Sequence, residues 1–468
     1  MDRALSVVRL VAAAPLSVWI AFVVVHLWLG LLNLYAPGLP LGDVTIVYKF
    51  WMDQALLQNF WVGIDSAWVY PIVALVPMVV ARVCGPEQFA STWLTMIMVL
   101  NAVAFGFITG WGRRRDRVRL GWWWVGFLLL LGPIAMGRID AVTVPLAIVG
   151  VLLIATRPGA AGVVLAIATW IKVWPAALVL AAIMAVRGRL RVLAAAVVSS
   201  AVILVTAFVI GSGANVFSFI TEQTGRGLQI ESPVATIWLW QALAGVPDTF
   251  VYYDNEILTY QVQGHGVELA AAVMTPLLAI AVAIIAALGW RALRGGATEG
   301  ELFAPLALAF VVALIAFNKV GSPQFISWLA VPVILGVATH LDGRGRSFRT
   351  PAILVLAIAA LTQVIYPYLY LELLYVQPLM LIVLTIRNLL LFLLLAWAVH
   401  AVVSVISRST VDSEDDADAT VWPLAEPAAV DLPPHRGTRG LETRVSSASE
   451  AARQVGLDED AVFDRPLA

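Results

Sequence analysis

Apolar side chains fall along this chain in long blocks, not in alternation. The blocks cover residues 11–34, 89–110, 122–136, 141–156, 161–171, 175–186, 192–210, 267–290, 302–317, 325–339, 351–367 and 379–407. An unbroken apolar run of about 20 residues is long enough to cross a bilayer as a helix. Lipid offers the backbone no hydrogen-bond partner, so such runs must be helical. A transmembrane barrel needs strands of period two, and these runs lack that period. The pattern predicts an all-α polytopic membrane protein, a bundle of about twelve transmembrane helices. The runs 161–171 and 175–186 are short for a span. The first run is too long for the apolar core of a cleaved signal and is read as the first span.

Arginines orient the spans. They cluster at Arg113, Arg114, Arg115, Arg117 and Arg119, and recur at Arg157, at Arg187, Arg189 and Arg191, at Arg291 and Arg294, and at Arg344, Arg346 and Arg349. Arg3 and Arg9 precede the first run and Arg408 follows the last. Basic turns stay on the cytoplasmic side. With all of these inside, both termini are cytoplasmic, and the run 69–83, broken by Pro71 and Pro77, must be a short re-entrant or interfacial piece on the outer side. Residues 1–408 form the membrane domain, with external loops at about 36–88 and 211–266 bearing loop helices. Residues 409–468, rich in acid, Ala, Pro and Ser, are expected to be a disordered cytoplasmic tail.

Composition agrees with this reading. Of 468 residues 61% are hydrophobic and 13% charged, against about 25% charged in soluble domains. The net charge of −1 gives no footprint for nucleic acid. One cysteine, Cys84, excludes an internal disulfide and a cysteine-based zinc cluster. The five histidines are scattered, with no HExxH spacing. No Walker loop, no GxGxxG after a strand and no GxSxG is present. No metal and no cofactor is expected.

The orientation sorts the remaining charges. The three lysines, Lys49, Lys172 and Lys319, all fall on the outer side, with Asp43, Asp53, Asp65, Arg138, Asp140, Arg226 and Glu231. Several stand at breaks between short spans: GRID at 137–140, IKVWP at 171–175 and NKVGSPQ at 318–324. Such breaks build polar cavities in membrane proteins, so an outward-facing cavity is expected. Each residue could also be interfacial, its charge reaching for water. Arg387 lies within the last span, where a charge calls for a partner inside the protein. Around Asp43 and Asp65 stand Tyr48, Phe50, Trp51, Phe60, Trp61, Trp68 and Tyr70, a mixture that suits a sugar and equally a membrane interface.

A carboxylate near the outer surface, several cations and a large apolar body fit transfer of a sugar from a lipid phosphate. Phosphate leaves readily when cations stabilise it, and one carboxylate can take the proton of the acceptor hydroxyl. Glycoside hydrolysis, with a poorer leaving group, uses two.

Seven pieces, taken in order, resemble glycosyltransferase family 87 of the GT-C membrane glycosyltransferases: GDVTIVYKFW with GIDSAWVYPIVALVP, then GRID, IKVWPAALVL, GLQIESPVAT, NKVGSPQFISW and IRNLLL. They extend over about residues 41–391. The resemblance implies a GT-C-like fold and an inverting transfer, without a nucleotide-sugar donor. The sugar, mannose or in related enzymes arabinofuranose, would come from a polyprenyl-phosphate donor and pass to a glycolipid or lipoglycan acceptor at the extracytoplasmic face of the plasma membrane. It implies that Asp43 is the catalytic base, with Asp65 as competitor before a YPP-like motif that here reads YPI, Ile72 replacing the second proline. Asp43 could also serve only as a helix cap. Lys172, Lys319 and Arg387 are expected to bind the donor phosphate, and Tyr48, Asp65, Arg138, Asp140 and Glu231 to line the cavity or acceptor site. Arg138 and Asp140 could simply pair with each other. A rival class, a sugar or lipid transporter, would call for charges near mid-membrane on many helices.

Overall fold

In the computed structural model, residues 14–222 and 226–419 are described, with side chains to residue 406. Most of the expected tail, from residue 420, lies outside them. The helices are α1 (Pro15–Tyr35), α2 (Lys49–Gln58), α3 (Leu75–Arg82), α4 (Phe89–Thr109), α5 (Val118–Leu131), α6 (Asp140–Leu153), α7 (Pro158–Ile171), α8 (Ala176–Ala185), α9 (Arg189–Val209), α10 (Thr236–Leu243), α11 (Val267–Arg294), α12 (Glu299–Ala316), α13 (Ala330–Leu341), α14 (Arg349–Gln363) and α15 (Pro378–Ala419). Among the described residues, nine helical segments are long and apolar enough to cross a membrane. Four shorter apolar helices lie at Ile72–Arg82, Asp140–Leu153, Pro158–Ile171 and Ala176–Ala185. Each of the twelve apolar blocks of the sequence forms a helix, and the protein is all-α and polytopic.

Packing divides the helices into two kinds. Helix α12 is the centre, with 78% of its apolar window buried, whereas α9 and α11 bury 11% and 17% and turn most of their surface outward. Lipid tails are as apolar as leucine, so helices in a bilayer associate through close packing. Small residues permit it here: α8 packs against α12, and both are rich in buried alanine, with Ala177, Ala181, Ala182 and Ala185 on α8 and Ala304, Ala307, Ala309 and Ala313 on α12. At Gly162 of α7 an added Cβ would collide with the Val192 carbonyl of α9. That contact explains why these two helices can lie against each other with no side chain between them.

The turns gather into two sets at opposite ends of the bundle. In one set Arg114 and Arg117 hydrogen-bond to Asp342, and the Arg187 backbone donates to Glu299. This is the arginine-rich end. In the other, residues 36–88, 132–140, 172–175, 211–266, 317–329 and 364–377 come together. Asn33 at the end of α1 donates to the Pro133 carbonyl after α5 at 2.9 Å. Loops 61–70 and 212–218 are joined by Ser212 to the Gly63 carbonyl (2.5 Å), Asn215 to the Ile64 carbonyl (2.8 Å) and the Trp68 N–H to Ser218 (2.7 Å).

The segment that links α9 to α11 also holds an antiparallel hairpin, β1 (Phe250–Asp254) and β2 (Thr259–Gln263), pairing Phe250 with Gln263 and Asp254 with Thr259. The sequence reading had no strand there. Its signal was the run TFVYYDNEILTYQVQ, rich in β-branched and aromatic residues on both sides of an Asp-Asn turn. Gln261 bridges to Gln229, which fastens the hairpin to the cavity wall.

Candidate active site

Helix ends of the second set enclose a cavity of about 980 Å³. Asp43 opens the first helical turn before α2, its side chain 39% exposed, and lines the cavity. Its Oδ2 lies 3.0 Å from Arg138 Nε. Arg138 is held from its other side: its guanidinium donates to the Pro40 and Gly137 carbonyls at 2.7 and 2.8 Å and to the Tyr366 hydroxyl at 2.7 Å. Each of these bonds fixes the guanidinium plane, so Asp43 faces an arginine that cannot swing away. Tyr48, buried beneath, accepts from the Ile139 N–H at 3.2 Å and ties α2's approach to the same turn.

A second ion pair lies beside the first. Lys172 ends α7 in extended backbone, because the Pro175 start of α8 cannot continue the helix. Its Nζ is 2.9 Å from Asp140 Oδ2, while Trp328 Nε1 donates to Asp140 Oδ1 at 2.7 Å. The ammonium also sits 5.4 Å from the Tyr70 ring centre and 5.3 Å from that of Phe325. Burial alone would lower Lys172, but Asp140, Tyr70 and Asp43 together outweigh it and raise the ammonium above its ordinary value. Arg138 and Asp140 therefore pair with Asp43 and Lys172, not with each other. They are two residues apart at a helix start and point in different directions.

Further along the wall are Arg226, Gln229, Glu231 and Lys319. Burial lowers both Lys319 and Arg226 from their ordinary values, and Arg226 adds a repulsion to Lys319. Arg226 Nε is buried without a hydrogen-bond partner. The Glu222 and Asp254 carboxylates act on Arg226 in the opposite sense. Burial likewise pushes the Glu231 carboxyl up to about 7, against the pull of Arg387.

Of the expected site residues, Asp43, Tyr48, Arg138, Lys172, Glu231 and Lys319 line one cavity. Three others do not. Asp65 turns back on its own loop, its Oδ2 accepting from the Trp61 N–H at 2.7 Å. Asp140 lies behind Lys172, 1% exposed, and Arg387 lies behind Glu231, 3% exposed. Arg387 answers a buried carboxylate, which is what an arginine within a span calls for. The sequence reading missed Tyr366 and Tyr370, which line the cavity from the segment after α14. A signal was there: in VIYPYLY, Pro367 breaks an apolar run between aromatic hydroxyls. Among the described residues no three His, Cys, Asp or Glu side chains gather closely enough to hold a metal ion.

The model of glycosyltransferase family 87 matches residues 68–317, just over half of the chain. The chain belongs to glycosyltransferase family 87. It is therefore a multi-pass membrane glycosyltransferase, which takes a sugar donor and an acceptor. The family 87 match contains Arg138, Asp140, Lys172, Arg226 and Glu231 and ends before Lys319, while Asp43 precedes it. No curated protein and no solved structure matches the chain.

Proposed function

We propose that this family 87 enzyme moves a sugar, mannose by the resemblance of its motifs, from a polyprenyl-phosphate donor to a glycolipid or lipoglycan acceptor. The transfer takes place at the extracytoplasmic face of the cell membrane, with Asp43 as general base. The observation that carries this reading is the juxtaposition in one cavity of a solvent-reachable carboxylate and a wall of cations. Lys172, Arg226 and Lys319 line that wall, and cations so placed stabilise the charge that develops on a phosphate leaving group. The cavity lining also includes apolar side chains: Ala177 and Leu180 of α8, Leu278 and Val282 of α11, and Leu314 of α12. Helix α11 turns most of its surface to lipid, so these side chains suit an isoprenoid tail that stays in the bilayer while its phosphosugar enters the polar part.

The chemistry follows from the geometry. Asp43 takes the acceptor hydroxyl's proton as that oxygen bonds to the anomeric carbon. The sugar–phosphate bond breaks with its electron pair going to the phosphate, and attack from the opposite face inverts the centre. Arg138 keeps the Asp43 carboxylate aimed. Lys172 and Lys319 meet the charge that grows on the phosphate. Both aromatic walls, Trp51, Trp68 and Tyr70 on one side and Tyr366 and Tyr370 on the other, offer flat faces to a sugar ring.

The arginine-rich end, with Arg114, Arg117 and Arg344 around Asp342, supports a cytoplasmic placement for those turns and an external one for the cavity. The deciding assay uses purified protein in nanodiscs with labelled polyprenyl-phosphate mannose and a glycolipid acceptor. Label in the acceptor, absent from Asp43→Asn, is the expected result. Wild-type protein that leaves the label on the donor overturns the reading.

A further inference from the structure

Glu231 carries a second feature that phosphate binding does not use. It is 2% exposed at the cavity wall. Arg387 Nη1 donates to its Oε2 at 3.2 Å, and Nη2 donates to its backbone carbonyl at 2.5 Å. Asn388 Oδ1 in turn accepts from Arg387 Nε and Nη2 at 3.1 and 2.8 Å, and Asn388 Nδ2 donates to Thr236 Oγ1 at 2.9 Å. A chain of side chains from α10 and α15 thus locks one carboxylate oxygen in place. The other, Oε1, is bonded to no side chain among the described residues. A carboxylate has several acceptor positions, and Glu231 lines the cavity, so Oε1 is an acceptor held in place at the cavity wall.

Its position identifies the donor. The loop of Lys319 packs directly on the segment of Glu231: the Gln229 N–H donates to the Lys319 carbonyl at 3.1 Å, and an added Cβ at Gly321 would collide with the backbone of Glu231 and Ser232. The Glu231 carboxyl also feels Arg138, the arginine that holds Asp43, so it belongs to the wall shared by the base and the loop of Lys319, yet a carboxylate repels phosphate. The neutral group covalently joined to that phosphate, rich in O–H donors, is the sugar. We infer that Glu231 accepts hydrogen bonds from hydroxyl groups of the transferred sugar, and that Arg387, Asn388 and Thr236 hold it in the orientation that reads them. This rests on the lipid-phosphate donor proposed above.

The test compares binding of polyprenyl-phosphate mannose and of bare polyprenyl phosphate to the full-length protein in nanodiscs. Wild type should bind the mannosylated lipid more tightly. At about pH 8, where the carboxyl is ionised, Glu231→Gln should lose that preference by about tenfold or more, the size of a hydrogen bond to a charged group, with bare polyprenyl phosphate bound as before. Asn388→Ala, which loosens the lock and leaves Glu231 in place, should lose part of the preference. It serves alone if Glu231→Gln does not fold. A wild-type preference retained in both variants overturns the inference, as does equal binding of the two lipids by wild type. If wild type binds neither lipid, the donor reading itself falls, and the inference with it.

Discussion

The Asp43 carboxylate and the Arg138 guanidinium stand 3.0 Å apart, and Arg138 is bound on its far side to two carbonyls and a tyrosine hydroxyl. The arginine is anchored while the aspartate keeps a face toward water. Replacing Asp43 by Asn should preserve the fold, since the side chain is partly exposed and Arg138 retains its other partners. Turnover should fall by about 10²- to 10⁴-fold, the usual contribution of a general base. Thermal unfolding and sugar transfer measured on the same preparation check both halves. Asp65→Asn should stay near wild type in transfer, because Asp65 bonds only within its own loop; the reverse pattern would move the base to Asp65.

Asp140 and Lys172 behave differently because Asp140 is enclosed. Asp140→Asn strands a buried ammonium, and stability should drop by about 3 kcal/mol, the lower end for breaking a buried pair because Lys172 opens onto the cavity. Adding Lys172→Gln should restore part of the melting temperature without restoring transfer. A double variant no more stable than Asp140→Asn would show that the charge left behind is not what destabilises it.

The Glu231 carboxyl, lifted by burial to about 7 from an ordinary 4.5, sets a pH dependence. The folded chain keeps this proton where the unfolded chain has released it. Between about pH 4.5 and 7 the folded state binds more protons, so this group makes stability fall as pH rises. The total is at most about 3 kcal/mol. Melting temperatures of wild type and Glu231→Gln across pH 5–8 should converge in slope above about pH 7 and diverge below it. Parallel curves throughout would remove the effect.

Lys319 lies beside Arg226 on the wall given to the phosphate. Lys319→Gln should raise the donor KM by about tenfold or more, the effect of losing a charge-assisted hydrogen bond. The acceptor KM should change far less. An equal rise in both would place Lys319 between the two substrates.

The exposed Cys84 lies in the turn between α3 and α4, at the cavity end. A membrane-impermeant maleimide should label it in intact cells. With Cys84→Ser as background, Ser347→Cys in the arginine-rich turn before α14 should label only after permeabilisation. The opposite pattern would invert the proposed orientation.

Much of this protein could be read from residue order alone. Lipid provides no partner for a peptide group, so each long apolar block had to be a helix, whatever it packs against. Breaks at GRID, IKVWP and NKVGSPQ likewise announced polar helix ends, because charge is costly in mid-span. The hairpin 250–263 was harder to see, since ten strand residues inside a long loop carry a weak signal. Partner choice was beyond reach. Arg138 and Asp140 are near neighbours in sequence, yet each is paired with a residue brought from another helix end, and Arg387 meets Glu231 from 156 residues away in the chain. Helix formation in a membrane is decided locally by an unavoidable hydrogen-bond requirement. Which charge faces which is decided by how the helix ends converge, and that depends on packing of the whole chain.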